Sequence, residues 1–164
     1  MLAVASHQLS GNLSHQIPEH DSTENTHSIL QQWLAFVQAG HYDKLDTLAS
    51  EDANWWVDGD KSKISLAGDM PYKQRQKMLG DLFAKANTYT TDLLSLTAEG
   101  ETGVLEVLRK AYGPGDKKYE SNAIMRFTVR NGKIVEIREY IDFIALAFYM
   151  GLSGIFDVLV HGKP

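Results

Sequence analysis

The sequence predicts an α+β domain in which helices pack on one side of an antiparallel sheet. Two observations indicate this class. Apolar residues recur at three- and four-residue spacing in the first half of the chain, which is typical of helices. The second half alternates apolar and polar residues through four long runs separated by turn residues, which is typical of strands. Helices followed by a run of neighbouring strands produce this class of fold.

The composition indicates one globular domain. The chain has 164 residues and is 43% hydrophobic, so it is long enough to bury a core. Its net charge of -5 and the lack of a basic stripe with interleaved aromatics argue against a nucleic-acid partner. Without cysteine it has neither disulfides nor thiolate chemistry. No apolar run is long enough to span a membrane and no signal peptide is recognisable, so we expect a soluble, cytoplasmic protein without a membrane partner.

The chain divides into three predicted segments. Residues 1–23 are polar and are expected to form a disordered tail. Residues 24–142 are expected to form the folded domain. Residues 143–164 are an unusually apolar extension, which predicts a lid helix or a subunit contact and makes a homodimer the expected assembly.

Three helices are predicted in the first half of the folded segment. Ser22 or Thr23 can cap the first helix, which ends at Gly40. A short second helix covers Tyr42 to Leu48. Pro71 suits the first turn of a third helix. The inward face of that helix is predicted to carry Tyr72, Arg75 or Gln76, Leu79, Leu82, Phe83 and Ala86.

The strands follow from β-branched and aromatic runs bounded by turn residues. Asp58-Gly59-Asp60 stops the first strand, residues 61 to 70 are expected to form a loop, and Asn131-Gly132 predicts a tight hairpin near the end of the chain. The predicted strands cover Ala53 to Val57, Thr88 to Ala98, Thr102 to Tyr112, Lys118 to Arg130 and Lys133 to Asp142.

Glu139 is the first candidate catalytic residue. Strand geometry places Val135, Ile137, Glu139 and Ile141 on one face, so a single carboxylate stands on an otherwise apolar face. An ionisable group in such a place costs free energy unless it is paired or lines a cavity. Glu139 is therefore either an ion-pair partner or a working acid.

Glu106 is the second candidate. It lies among apolar residues on a strand expected to run close to that of Glu139, and two such carboxylates can divide proton transfer into an acid and a base. The alternative is that either glutamate points to solvent or pairs with Arg109, Arg126 or Arg138.

Several residues are candidates for binding a substrate. Trp55 and Trp56 alternate faces, so one is expected to form a pocket wall. Tyr119 and Asn122 precede an apolar strand run, and Asn122 could donate to a substrate oxygen. Arg75 could clamp an oxyanion at the pocket mouth.

Tyr140 and Asp142 are two further candidates. With Arg138 they lie opposite Glu139 if the strand is regular, which suggests a surface or dimer-face network. A bulge would exchange the two faces. Asp142 also stays a candidate because it ends the strand.

Neither a metal nor another cofactor is predicted. The folded segment has no His/Asp/Glu cluster at the spacing of metal ligands. His7, His15, His20 and His27 are irregularly spaced and are expected to be solvated.

The order of elements and two motifs resemble a known superfamily. The Asp-Ala-x-Trp-Trp strand at residues 52–56 and the closing strand Gly132 to Asp142 resemble the nuclear transport factor 2-like fold, and the closing strand resembles its SnoaL-like branch. The resemblance covers roughly Glu24 to Asp142. It implies a cone-shaped, curved antiparallel sheet with helices packed on its concave side and a ligand inside the cone.

Two enzyme families of this fold supply expectations for the site. Residues 105–109 and 138–142 resemble limonene epoxide hydrolase, in which two aspartates flanking an arginine act with a tyrosine and an asparagine. That resemblance puts Glu106 and Glu139 at the aspartate positions, whereas Val104, Trp55 and Val57 replace the arginine, tyrosine and asparagine. The ketosteroid isomerases, whose base follows the first strand, imply Asp58 as a further candidate base.

We therefore expect a cofactor-independent acid/base isomerase or cyclase that acts on an apolar polycyclic or terpenoid-like small molecule. Glu139 would be the principal acid or base and Glu106 its partner. The alternatives are an epoxide hydrolase and a non-catalytic ligand-binding or dimerisation module.

Overall fold

The structure, a computed structural model, describes residues 19–151. The helices are α1 (Glu19–Gln38), α2 (Tyr72–Phe83) and α3 (Phe143–Met150), with a 3₁₀ helix at Tyr42–Leu48. The strands are β1 (Ala49–Val57), β2 (Gly68–Pro71), β3 (Thr88–Glu99), β4 (Thr102–Tyr112), β5 (Lys118–Arg130) and β6 (Lys133–Ile141).

The six strands form one curved, unclosed sheet in the order β2-β1-β6-β5-β4-β3. Helices cover its concave side, which confirms the predicted α+β class and its cone-like form. All neighbouring strands are antiparallel except β1 and β6, which run parallel. The sheet is therefore antiparallel as expected, apart from this one pair. No hairpin joins β1 to β6, because most of the chain lies between them.

The core lies between α1 and the concave face, around Trp33. Its ring is fully buried and packs edge to face against Trp55 and Phe127, with centroid distances of 5.8 and 5.3 Å. Its indole nitrogen donates to the hydroxyl of Tyr72 (3.1 Å), which donates in turn to the backbone oxygen of Leu45 (3.3 Å). The polar atoms of these large side chains are therefore satisfied inside the core.

The first helix begins earlier than predicted. α1 starts at Glu19, so residues 19–23 of the predicted tail are helical, and the rest of that tail lies outside the described residues. Thr23 is part of α1, and its hydroxyl accepts a hydrogen bond from the backbone nitrogen of Gly100 (2.8 Å). The hydroxyl of Thr26 donates to the backbone oxygen of Gly100 (2.8 Å). The two threonines therefore attach α1 to the β3–β4 turn.

The last strand contains a bulge that changes its predicted faces. The register moves from Thr128 opposite Glu136 to Val129 opposite Ile134, so one extra residue is inserted in β6. Ile134 is buried, although alternation predicted it on the face opposite Ile137. Beyond the bulge, Ile137 and Glu139 point into the cone, as the period-2 pattern predicts.

Two shorter elements complete the concave side. β2 forms within the predicted 61–70 loop and pairs with the edge of β1, so Met70 lies opposite Trp55. α3 follows β6 directly, and Asp142 caps it by accepting hydrogen bonds from the backbone nitrogens of Ile144 (2.8 Å) and Ala145 (3.0 Å). Residues 152–164 of the predicted extension lie outside the described part of the chain.

We expect Gly103→Ala to destabilise the fold. A Cβ atom at position 103 would lie 2.5 Å from Cδ2 of Leu30 and 3.0 Å from Cγ2 of Thr26, where α1 crosses β4. Overpacking of this kind costs about 1–3 kcal/mol. Urea denaturation should show that decrease in the free energy of unfolding.

Gly80→Ala in α2 is the matched control. Its Cβ would meet Tyr42 no closer than 3.5 Å, an ordinary van der Waals contact, and alanine favours a helix by about 0.8–1 kcal/mol over glycine. This variant should be as stable as the wild type or more so. Equal stability of both variants would contradict the described packing of α1 on β4.

Candidate functional site

A cavity lies between α2 and the concave face of the sheet. The space that admits a water molecule measures about 50 Å³, and the whole hollow, counted out to its open mouth, measures about 460 Å³. The buried part is small, so a ligand with several rings would occupy the mouth or displace side chains of the wall. The apolar wall comprises Trp55, Val57, Leu66, Met78, Leu79, Leu82, Phe83, Ile141 and Leu146, and the polar and charged lining residues are Arg75, Arg109, Tyr119 and Glu139.

Glu139 is buried at this cavity, with 4% of its surface exposed. One carboxylate oxygen, Oε2, accepts a hydrogen bond from the indole nitrogen of Trp55 (2.8 Å), and the other, Oε1, accepts one from a terminal nitrogen of Arg109. Trp55 comes from β1, beside β6, whereas Arg109 comes from β4 and reaches across β5. The small inward side chains of Ser121 and Ala123 on β5 leave room for this crossing.

Arg109 forms a buried ion pair with Glu139. Burial alone would lower the pKa of this guanidinium, but the charge and hydrogen bond of Glu139, together with Tyr89 and Tyr119, offset burial and raise the pKa above its ordinary value. Its second terminal nitrogen lies 3.2 Å from the sulfur of Met125. Its Nε has no hydrogen-bond partner among the described residues. Of the two sequence-based alternatives for Glu139, the structure shows the ion pair, and it also places the carboxylate at the cavity.

Arg75 reaches the same cavity from α2 and is 5% exposed. Its terminal nitrogens donate to the backbone oxygens of Leu66 (2.5 Å) and Gly68 (2.9 Å), which holds the segment before β2 against the helix. Burial lowers the pKa of Arg75, and the charge of Glu139 opposes that change. The Nε of Arg75 also lacks a hydrogen-bond partner in the part of the chain described.

Tyr119 and Trp55 are the two aromatic side chains with a polar atom at the cavity. Tyr119 is 3% exposed, and its burial raises the pKa of the hydroxyl, which is therefore protonated at neutral pH. Trp56 occupies the other face of β1. There it packs against Tyr140 (centroids 5.5 Å apart) and lies under the guanidinium carbon of Arg138, 4.0 Å from its ring centroid.

Glu106 does not lie at the cavity. Leu105 and Val107 point into the core, so Glu106 points to the outer, convex face of β4. There it is opposite Ile124 of β5 and accepts a hydrogen bond from the hydroxyl of Ser95 (3.3 Å). The expectation that Glu106 and Glu139 meet in one pocket is therefore wrong, because alternation along β4 puts its carboxylate on the side away from the helices.

The structure places four other candidates outside the cavity lining. Asn122 and Tyr140 are exposed on the outer face of the sheet. Asp142 caps α3. Asp58 directly follows β1, and its carboxylate accepts a hydrogen bond from the backbone nitrogen of Ile141 (3.4 Å). Of the sequence-based site residues, the structure brings together Glu139, Trp55, Arg75 and Tyr119.

Arg109 is the site residue that the sequence analysis did not place there, since it appeared only as a possible ion-pair partner. The inward residues Leu105, Val107, Arg109 and Ala111 alternate with more exposed ones. A charged residue on an apolar strand face is the signal that identified Glu139, but on β4 both faces show it, with Arg109 on one and Glu106 on the other, so the pattern did not tell which face is inward.

The described residues hold no group of three or more histidine, aspartate or glutamate side chains that could bind a metal ion. Among the described helices, none has both the length and the apolar character needed to cross a membrane.

The fold is shared with several solved structures. An NTF2-like protein from Burkholderia xenovorans LB400 is 24% identical with a TM-score of 0.60, covering 77% of this chain and 95% of that chain. An LEH-like epoxide hydrolase of M. tuberculosis is 16% identical with a TM-score of 0.60, covering 84% and 97%. A protein from Jannaschia sp. CCS1, provisionally assigned as a SnoaL-like polyketide cyclase, is 10% identical with a TM-score of 0.63, covering 80% and 92%. At these identities the likeness shows the fold alone.

The sequence itself gives the family. No protein of curated function matches it. The SnoaL-like domain matches over residues 30–137, which is more than half of the chain and includes α2, β4, β5 and most of β6. This match and the shared fold confirm the resemblance seen in the Trp-Trp strand and the closing strand. The chain belongs to the SnoaL-like domain family.

Proposed function

We propose that the protein is a cofactor-independent enzyme that isomerises or cyclises an apolar small molecule by acid/base catalysis in the cavity. The observation that supports this proposal is the position of Glu139. It is the one carboxylate among the described cavity-lining residues, it is buried, and apolar side chains surround the space beside it. A positioned carboxylate next to a bound substrate is the equipment that proton transfer requires.

A single carboxylate can serve both halves of an isomerisation. Glu139 would remove a proton from a carbon next to a carbonyl group and return it to another carbon, acting first as base and then as acid. Each of its oxygens accepts one hydrogen bond from the protein, and a carboxylate oxygen has a second lone pair that can take the proton. The role first expected for Glu106 is then not needed.

Donors around Glu139 would stabilise the negative charge that moves to the substrate oxygen. The candidates are the protonated hydroxyl of Tyr119 and the guanidinium groups of Arg109 and Arg75. Donors already held in place cost little reorganisation when the charge develops. Orientation of the substrate and stabilisation of the oxyanion would supply much of the rate enhancement.

Non-catalytic ligand binding is the second candidate function. Both oxygens of Glu139 already accept hydrogen bonds, which is how a purely structural buried ion pair would look. Epoxide hydrolysis that uses two acidic groups is less well supported, because Glu106 lies on the other face of the sheet and Glu139 is alone among the described lining residues.

We expect Glu139→Gln to lower proton transfer by about 100-fold or more, since general acid/base catalysis contributes about 10²–10⁴-fold. The measurement is deuterium incorporation, followed by NMR in D₂O, into a panel of cyclic β,γ-unsaturated ketones. Glu106→Gln is the control and should exchange at the wild-type rate. Incorporation of labelled oxygen from water into product would instead indicate hydrolysis.

Folding of the variant has to be checked, because an unpaired Arg109 in the core costs about 3–5 kcal/mol. Circular dichroism below the thermal transition would establish that Glu139→Gln is folded. A folded variant with undiminished exchange would rule out Glu139 as the proton-transferring group. Wild-type protein that binds these ketones without exchanging them would favour the non-catalytic function.

We also propose a homodimer formed through the outer face of the sheet. Ile124 on β5 and Tyr140 on β6 lie opposite each other there, and each is about half exposed. Contiguous exposed apolar surface of this kind marks an interaction site.

Sedimentation velocity should show a dimer that Ile124→Glu converts to monomer. Ile144→Glu on α3, which is 53% exposed, is the control for the competing surface, and loss of the dimer in that variant alone would contradict this assignment.

A further inference from the structure

The cavity holds an unequal number of charges. The charged side chains among its described lining residues are Arg75, Arg109 and Glu139, with exposed fractions of 5%, 3% and 4%. With all three ionised, the net charge at the cavity is +1. A buried charge without a partner is costly, so a ligand that brings one negative charge would be favoured over a neutral ligand of the same shape.

No other side chain supplies that missing charge in the described structure. Glu139 is hydrogen-bonded to Arg109 and reaches Arg75 only through its longer-range field. Asp69 also acts on Arg75 electrostatically. It is exposed, however, and its carboxylate accepts a hydrogen bond from the side-chain nitrogen of Asn54 (2.5 Å). One buried carboxylate therefore serves two buried guanidinium groups.

The hydrogen bonds of the two arginines also indicate that a negatively charged ligand is favoured. The terminal nitrogens of Arg75 hold the backbone oxygens of Leu66 and Gly68, and those of Arg109 contact Glu139 and Met125. The head groups are therefore fixed by the protein. In both residues the buried Nε has no hydrogen-bond partner among the described residues. Buried donors in folded proteins are nearly always satisfied, and a guanidinium N–H favours an oxyanion.

We propose that the substrate is an apolar molecule that carries an oxyanion, such as a carboxylate or an ionised enol, which binds at Arg75 and Arg109. This inference rests on the proposed function, because it names the substrate class of the same cavity. The apolar part would pack against Leu79, Leu82 and Phe83, and the oxyanion would satisfy the unpaired N–H donors. The negative charge of Glu139 would then repel a ligand that carries a second negative charge.

The test compares two probes of nearly equal shape, 1-naphthoate and the neutral 1-naphthamide, by isothermal titration calorimetry of the full chain at pH 7. The wild type should bind the carboxylate at least about tenfold more tightly, the order expected for one charge-assisted hydrogen bond. Arg75→Met should remove most of that preference and leave binding of the amide nearly unchanged. Arg126→Met is the control, because Arg126 is exposed on the outer face and pairs with Glu136.

A wild type that prefers the amide, or that binds neither probe at millimolar concentration, would overturn the inference without any variant. A folded Arg75→Met that keeps the preference would also overturn it. If Arg75→Met does not fold, Arg75→Lys should retain a weakened preference for the carboxylate. A folded Arg75→Lys with the full wild-type preference would overturn the inference, because lysine lacks the Nε–H donor that the oxyanion is proposed to satisfy.

Glu139→Gln separates this inference from the proposed function. Removing its negative charge raises the net charge at the cavity to +2, so a folded variant should bind 1-naphthoate more tightly even though proton exchange is lost. If the wild type shows no exchange but still prefers the carboxylate, the catalytic proposal fails and the oxyanion site stands. If exchange depends on Glu139 but neither arginine affects probe binding, the oxyanion site fails and catalysis stands.

Discussion

The ion pair between Glu139 and Arg109 joins the architecture of this protein to its candidate site. It links β6 to β4 across β5, and the indole of Trp55 adds β1 to the same cluster. These side chains meet because the strands present them on the concave face in matching register. Loss of either charge would leave the other buried and unpaired, which costs several kcal/mol. The same contact therefore stabilises the sheet and forms the polar floor of the cavity.

The two faces of the sheet have different chemistry. Among the described residues, the cavity on the concave face is lined by one carboxylate, two guanidinium groups and a protonated phenol, with apolar walls that include residues of α2 and α3. The convex face carries Glu106 and the packed group of Trp56, Tyr140 and Arg138. Charges there are partly solvated, and apolar side chains are exposed. Under the proposed function, ligand chemistry lies inside the cone and the outer face forms the proposed homodimer.

Membership of the SnoaL-like domain family fixes the scaffold but not the reaction, since one fold can host unrelated activities. The solved relatives described here share at most 24% of their residues with this chain. The reaction therefore has to be argued from the residues at the cavity. Glu139 is the one carboxylate among the described lining residues and lies with two cationic side chains, which is the basis for proposing proton transfer on a substrate that carries or develops negative charge.

Local pattern alone determined the α+β class, both ends of β4 and β5, the Asn131-Gly132 hairpin and the unusual position of Glu139, because strand period and turn chemistry are short-range properties. Tertiary structure decided which side of β4 faces the helices. Both sides of that strand carry apolar residues, with Leu105 and Val107 on one and Val104 and Leu108 on the other, so alternation could not separate Arg109 from Glu106. The bulge in β6 and the parallel pairing of β1 with β6 depend on contacts between residues far apart in the chain, which no local pattern contains.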